Sequence, residues 1–429
     1  MMAACGQTTI VEKTQSEQLA ERMQSLLQKG YMMGHQDDPF YGVTWSGIVS
    51  QGQKADSLQN TNVIPADSSD VKRTVGDFPA VMGFDLGGIE MDDTKNLDSV
   101  PFSRIHDELI AHHERGGIVT LSWHPRNPVT TKPHGGLDGQ IFPAGSAWDV
   151  ADTTVVKSVL PDGTQYEKFQ TWMQRVADFI ETLKTKDGQP VPIIFRPWHE
   201  NNGSWFWWGQ KNCSDEEFHA LWNMLQDYMD KRGFDNLLWS YSPNLDGHWT
   251  EERFMQRYPG NDRVTLIGED AYQWGTEEDF KTQLTADLTF LSDFAKKNDK
   301  LLAMTECGLQ NMTDSTWWTR VLKPIVDQYP ISYFLLWRNA SHEYFGPSPE
   351  LPCAADFKQL YEADNTLFLR DINKSRANQN PGSSVTIRDF SLEGGKHVRL
   401  YSVSIPAGAA DHCRRGRCAD GAGHRGTEI

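Results

Sequence analysis

Eight short apolar runs recur along the chain, and most are followed by a segment whose apolar residues fall at helical spacing. The runs cover residues 31–34, 79–84, 118–122, a fourth that opens at Val191, then 237–241, 264–268, 301–305 and 331–336. They are near-continuous rather than alternating, which is the pattern of parallel strands covered on both faces. Helices are expected over residues 16–29, 102–115, 167–186, 214–232, 277–297, 317–328 and 355–363, with a single turn near 70–75. Ser214 and Glu217 form a capping box for the fourth of these, and Gly116-Gly117 and Gly188 stop the helices before them. Eight such alternations predict an α/β fold of the (β/α)8 TIM barrel type. At 429 residues the chain has room for one barrel with long loops at the carboxyl-end rim.

In such a barrel the chemistry sits where the strands end. The residues that follow the eight runs are polar or aromatic: His35, Asp85, His124, Glu200, Asn244, Tyr272, Glu306 and Trp337. The stretch 191–209, VPIIFRPWHENNGSWFWWG, is the densest of them. Glu200 closes its apolar half, and Trp205, Phe206, Trp207 and Trp208 follow within eight residues. A carboxyl group beside flat apolar rings suits sugar cleavage, since the acid handles the glycosidic oxygen and the rings stack on pyranose C–H faces. Glu306 ends the seventh run, and strands four and seven face each other across a barrel mouth. A retaining glycosidase needs two carboxyl groups about 5–5.5 Å apart across the scissile bond. Glu200 and Glu306 are the candidates.

Side-chain alternation places Leu302, Met304 and Glu306 on one face of strand seven, and Arg196, Trp198 and Glu200 on one face of strand four. His199 has the opposite parity and reaches the site only if the strand breaks, for which Pro197 supplies the means. Tyr272 is placed to donate a hydrogen bond to Glu306, and Trp337 to floor the reacting sugar. His124 and Asp85 are read equally as a structural pair and as substrate contacts. The insertion at 126–163 is long enough to build part of a binding surface, with Trp148 near its end.

Other chemistries find less support. A net charge of −17 argues against nucleic acid or an anionic membrane surface as partner. No run of 18 apolar residues spans a membrane. Barrel metal sites gather three or more N/O ligands, often through H-x-H, whereas strand one offers only His35-Gln36-Asp37, so no metal is expected. The G-x-x-x-x-G-K-[ST] phosphate loop is absent, and no cofactor is expected. The six cysteines lack zinc spacing, and a Cys213–Cys353 bridge is left open. A monomer is expected.

The catalytic domain is expected over residues 16–373. Residues 1–15 are read as a leader remnant or linker. Within them Ala3-Ala4-Cys5-Gly6 has the look of the end of a bacterial lipoprotein signal, implying export to the periplasm or cell surface with an anchor at Cys5. Residues 374–429 are read as an extension, disordered or of non-native origin, because 407–429 carry almost no large apolar residue. A small strand pair within 385–405 is the alternative.

Taken together, Gly34-His35-Gln36, Trp123-His124-Pro125, Arg196-Pro197-Trp198-His199-Glu200, Asp270-Ala271-Tyr272, Thr305-Glu306 and Trp337-Arg338-Asn339-Ala340 resemble glycoside hydrolase family 26 of clan A, and its bacterial β-mannanases in particular. The resemblance covers about residues 16–373. It implies a retaining enzyme acting on the β-1,4-mannosidic bonds of mannan, galactomannan or glucomannan, with Glu200 as acid/base and Glu306 as nucleophile. It further implies that Tyr272 supports the nucleophile, that His124 and Trp337 line the −1 subsite, and that Trp205 stacks on sugar across the cleavage point. Arg338 would contact the −2 mannose, and His199 stands where most other clan A families carry Asn. The family also contains mixed-linkage β-glucanases and β-1,3-xylanases. The rival from another class is a barrel that binds oligosaccharide without cutting it.

Overall fold

The computed structural model describes residues 13–45, 69–130, 134–135, 141–142, 144–378, 384–392 and 396–404. Cys5, with its expected anchor, lies outside them.

Residues 13–375 form one unit. Its strands are β1 (Tyr31–Gln36), β2 (Val81–Asp85), β3 (Ile118–Trp123), β4 (Ile193–Pro197), β5 (Leu237–Tyr241), β6 (Leu266–Tyr272), β7 (Leu301–Gly308) and β8 (Tyr333–Leu336). Each pairs in parallel with the next, and β8 returns to β1 through Met32 opposite Tyr333 and His35 opposite Leu336, which closes an eight-stranded barrel. All eight strands are buried apart from the last residue of β6, as covered parallel strands must be.

The main helices packed around them are α1 (Gln15–Leu26), α2 (Asp70–Val75), α3 (Phe102–Glu114), α4 (Val155–Val159), α5 (Tyr166–Thr182), α6 (Asp215–Lys231), α7 (Glu251–Met255) and α8 (Glu277–Lys297). The capping box of α6 is formed from both sides, with the Ser214 side chain accepting from the Glu217 amide and the Glu217 carboxylate from the Ser214 amide. Gly116 and Gly188 stand at φ 91° and 75°, a region that suits a residue with no Cβ.

The helix expected at 317–328 is interrupted. A wide π turn, Trp318–Leu322, precedes the short α-helix Lys323–Val326. Pro324 explains this, because it has no N–H for the carbonyl four residues back and its ring would press on it. Cys213, Cys307 and Cys353 are free and buried, so the bridge left open between Cys213 and Cys353 is not formed. Cys213 lies instead beside Arg257, while Cys353 immediately precedes the helix Ala354–Glu362.

The C-terminal stretch separates as its own unit from residue 376 onward. Within it Ser384–Leu392 pairs antiparallel with Lys396–Ser404, the strand pair of the alternative reading. Residues 405–429 lie outside the described part.

Candidate active site

The site is built by the way β4 ends. The strand stops at Pro197, and Trp198 and Glu200 then take φ of 55° and 52°. That region is costly for residues with a Cβ, by about 1–2 kcal/mol each. The turn carries Trp198 out of the barrel to pack against Trp123, Trp207 and Trp208, while His199 and Glu200 face the cleft. The expected shared face of Arg196, Trp198 and Glu200 is therefore wrong for Trp198, because the pleat ends one residue earlier. Hydrogen bonds hold the strained turn. The Glu200 amide donates to the Ser242 carbonyl at 2.7 Å, the Trp208 indole to the His199 carbonyl at 2.8 Å, and Asn202 and Asn244 bond each other through main-chain and side-chain groups.

Glu306 reaches the barrel interior by another irregularity. Counting in twos from Leu302 groups it with Met304, but the pairing of β6 with β7 slips one residue between Glu269 and Asp270. Met304 then lies level with Glu269, and Glu306 with Asp270. Opposite residues of parallel strands share a face, so the bulge, not the alternation, turns Glu306 inward. One carboxylate oxygen each from Glu200, Asp270 and Glu306 lie within 4.8 Å of one another.

Arg196, buried inside the barrel, compensates this charge. Its guanidinium donates to Asp270 at 2.8 Å, to Ser242 Oγ at 3.1 Å and to Glu306. Tyr272 Oη donates to the other oxygen of Glu306 at 2.6 Å, so both nucleophile-candidate oxygens are held. Three carboxylates could in principle gather a cation. However, a guanidinium fork already spans two of them, and a hard cation asks for about six oxygens, so the donor set does not fit a metal. Burial, then the negative charge of Glu306, push the Glu200 carboxyl up to about 7. Trp205 donates its indole N–H to Glu200 Oε2 at 2.5 Å and opposes this rise.

Asp85 ends β2 and accepts from Ser122, from the Gly87 amide and, at 2.6 Å, from His124 Nδ1. Burial alone would depress the His124 imidazole, but the Asp85 charge and hydrogen bond more than reverse it. His199 is held well below the ordinary range by burial and by the positive charges of His124 and Arg196. Their Nε2 atoms are 2.9 Å apart. A protonated His124 donating to a neutral His199 accounts for both shifts and for that contact.

The cleft has a volume of about 270 Å³ and is lined by Glu200, Trp205, His199, Glu306, Trp337 and Arg338. Tyr272 and His124 line it too, so the eight candidate residues meet in one cavity. Of the aromatic run after Glu200, only Trp205 is substantially open to the cleft. Phe206, Trp207 and Trp208 are core residues at 3 %, 0 % and 0 % exposure, and Trp207 and Trp208 donate their indole N–H groups to backbone carbonyls. Trp205, the one residue of the run expected to stack on sugar, is thus the one left accessible, while the other rings order the loop that carries it. His35 turns under the rim to Asp38, and Trp148 stacks on His124 at 5.6 Å.

Sequence reasoning missed Asp98 and Glu343, which grip Arg338, and Trp274, which edges the cleft. None falls at a strand end, where the signal lay. It also missed Arg257. This buried residue donates to the carbonyls of Asn201, Trp208 and Cys213 and to Asp215, tying down the loop that carries Trp205. Lysine keeps the charge but cannot fork to so many acceptors. Arg257→Lys is expected to lower kcat about tenfold and stability by about 2–4 kcal/mol, checked by kinetics and urea unfolding. Wild-type values in both would remove Arg257 from this role.

The sequence model of Glycosyl hydrolase family 26 matches residues 12–361. A mannan endo-1,4-β-mannosidase of Bifidobacterium adolescentis is 29% identical over 343 residues, covering 73% of this chain and 32% of that protein. The chain thus spans about a third of the length of that relative. The mannan endo-1,4-β-mannosidase of Bacillus subtilis strain 168 is 28% identical over 283 residues, 64% of this chain and 70% of that protein. Among solved structures, a family 26 β-mannanase from Bacteroides ovatus is 40% identical with a TM-score of 0.73, covering 84% of this chain and 96% of that one.

Proposed function

The chain belongs to glycosyl hydrolase family 26, and from that membership and the geometry of its cleft we propose a retaining glycosidase that cuts internal β-1,4-mannosidic bonds by double displacement. The observation that carries this is the approach of Glu200 and Glu306 to within 4.8 Å across the barrel mouth, where a retaining pair belongs. Glu306 attacks the anomeric carbon as the C1–O bond breaks, and Glu200 gives its proton to the departing oxygen. A water then loses a proton to Glu200, attacks the glycosyl-enzyme ester and frees Glu306. Trp337 floors the reacting sugar, and the His124–His199 pair forms part of the wall beside it. Trp205 stacks on sugar across the cleavage point, and Arg338, held by Asp98, meets the residue beyond.

Mannan is proposed because the relatives above carry that activity in their names. Incubation with mannohexaose, galactomannan, lichenan and β-1,3-xylan tests it, with NMR of the first anomer released. Mannan-derived products with the β configuration are expected. An α product would sink the retaining mechanism, cleavage of lichenan or xylan alone would reassign the substrate, and intact oligosaccharide would favour a binding barrel.

A polymer of this kind is met outside the cell, which supports export and an anchor at Cys5. In the source organism, the Cys5→Ser substitution is expected to release the protein from the membrane fraction. If it stays there as abundantly as wild type, the anchor is wrong.

A further inference from the structure

We propose that Trp274 and the pocket behind it bind one hexosyl residue on the leaving-group side of the cleavage point. The inference rests on the glycosidase reading above. Trp274 is the most exposed large apolar side chain among the described residues, at 65 %. An exposed indole at the lip of a cleft offers a flat apolar face on which a pyranose can stack. Its ring lies tilted over Tyr272, with centroids 5.3 Å apart and planes at 30°, and edge-on to Phe345, which fixes the outer face. Next to it opens a second cavity of about 250 Å³, near the lower end of ligand-pocket sizes and suited to a single sugar ring. Phe280 and Leu245 are among its apolar lining residues, and Asn244, Asp279 and Gln283 among its polar ones. Tyr272 and Trp274 line both cavities, so the second adjoins the first across these two rings.

Barrel order sets the side. Glu200 follows β4 and Glu306 lies two residues before the end of β7, which divides the rim into two arcs. Arg338 and Asp98 belong to the arc of β8, β1 and β2, while Asn244 and Trp274 belong to that of β5 and β6. A sugar chain that crosses the carboxylate pair with its retained end at Arg338 leaves toward Trp274. Stacking on the indole and hydrogen bonds to Asn244, Asp279 and Gln283 would then hold the departing oligosaccharide.

The test compares kcat/KM on mannohexaose with that on an aryl β-mannobioside, whose leaving group has no sugar to place in this pocket. Trp274→Ala is expected to lower the hexaose-to-aryl ratio about five- to tenfold, the scale of one lost stacking contact. Gln283→Ala should lower it about two- to fivefold, the scale of one lost hydrogen bond. Trp274→Phe should restore much of the ratio. In water labelled with heavy oxygen, Trp274→Ala should also shift hexaose cleavage toward shorter leaving fragments. Equal losses on both substrates would mean that Trp274 only covers the Tyr272–Glu306 hydrogen bond, and would overturn the proposal, as would an unchanged ratio. A wild type that hydrolyses neither substrate overturns the glycosidase reading itself and takes this assignment with it.

Discussion

Replacing Glu306 with alanine is expected to lower turnover of mannohexaose on the order of 10⁵-fold, the scale of losing a covalent nucleophile. Oligosaccharide binding, read by calorimetry, should change little, since the stacking and hydrogen-bonding walls of the cleft remain. The fold should survive as well. Arg196 loses one carboxylate partner but keeps Asp270 at 2.8 Å, so no unpaired charge is left buried. The vacated space admits a small anion. Azide added to the variant with an activated aryl mannoside should attack C1 directly in one displacement and give the α-mannosyl azide. A variant that turns over hexaose at wild-type rate removes Glu306 as nucleophile. Rescue that yields the β-azide would assign the vacated side chain to the acid/base role instead.

Replacing Glu200 with alanine should cost about 10²- to 10⁴-fold on mannohexaose, the range of a positioned general acid. An aryl mannoside whose phenol leaves as a stable anion needs no proton, so its first step should be slowed far less. The pH profile carries the sharper sign. As the proposed acid, Glu200 works only while protonated, and burial with the Glu306 charge pushes its carboxyl up to about 7, so wild-type kcat/KM should fall as pH rises through that value. In the alanine variant that alkaline limb should vanish. Forming the glycosyl ester removes the Glu306 charge, one of the two causes that raise Glu200. The same group then becomes more acidic and can take a proton from water. Equal slowing of both substrate kinds, or an alkaline limb that persists without Glu200, would contradict the assignment.

The way Arg196 sits between Asp270 and Glu306 shows why the pair can differ in role. Both glutamates line one cavity, but of the two only Glu306 is reached by the guanidinium and the Tyr272 hydroxyl. Glu200 receives only an indole N–H, beside a negative charge, and keeps its proton longer.

The amino-acid sequence alone determined the barrel, because near-continuous apolar runs and the helical spacing between them are local signals repeated along the chain. It also determined the rim residues, because strand ends are legible wherever an apolar run stops at a polar group. Only tertiary structure decided which faces those residues show. The left-handed turn at Trp198 and Glu200 and the slipped register before Glu306 override alternation, since each is stabilised by partners on neighbouring strands. The burial of Trp207 and Trp208, the grip of Asp98 on Arg338 and the reach of Arg257 into the Trp205 loop likewise depend on segments far apart in sequence. A chain announces its periodicity residue by residue, whereas a contact exists only once two distant segments meet.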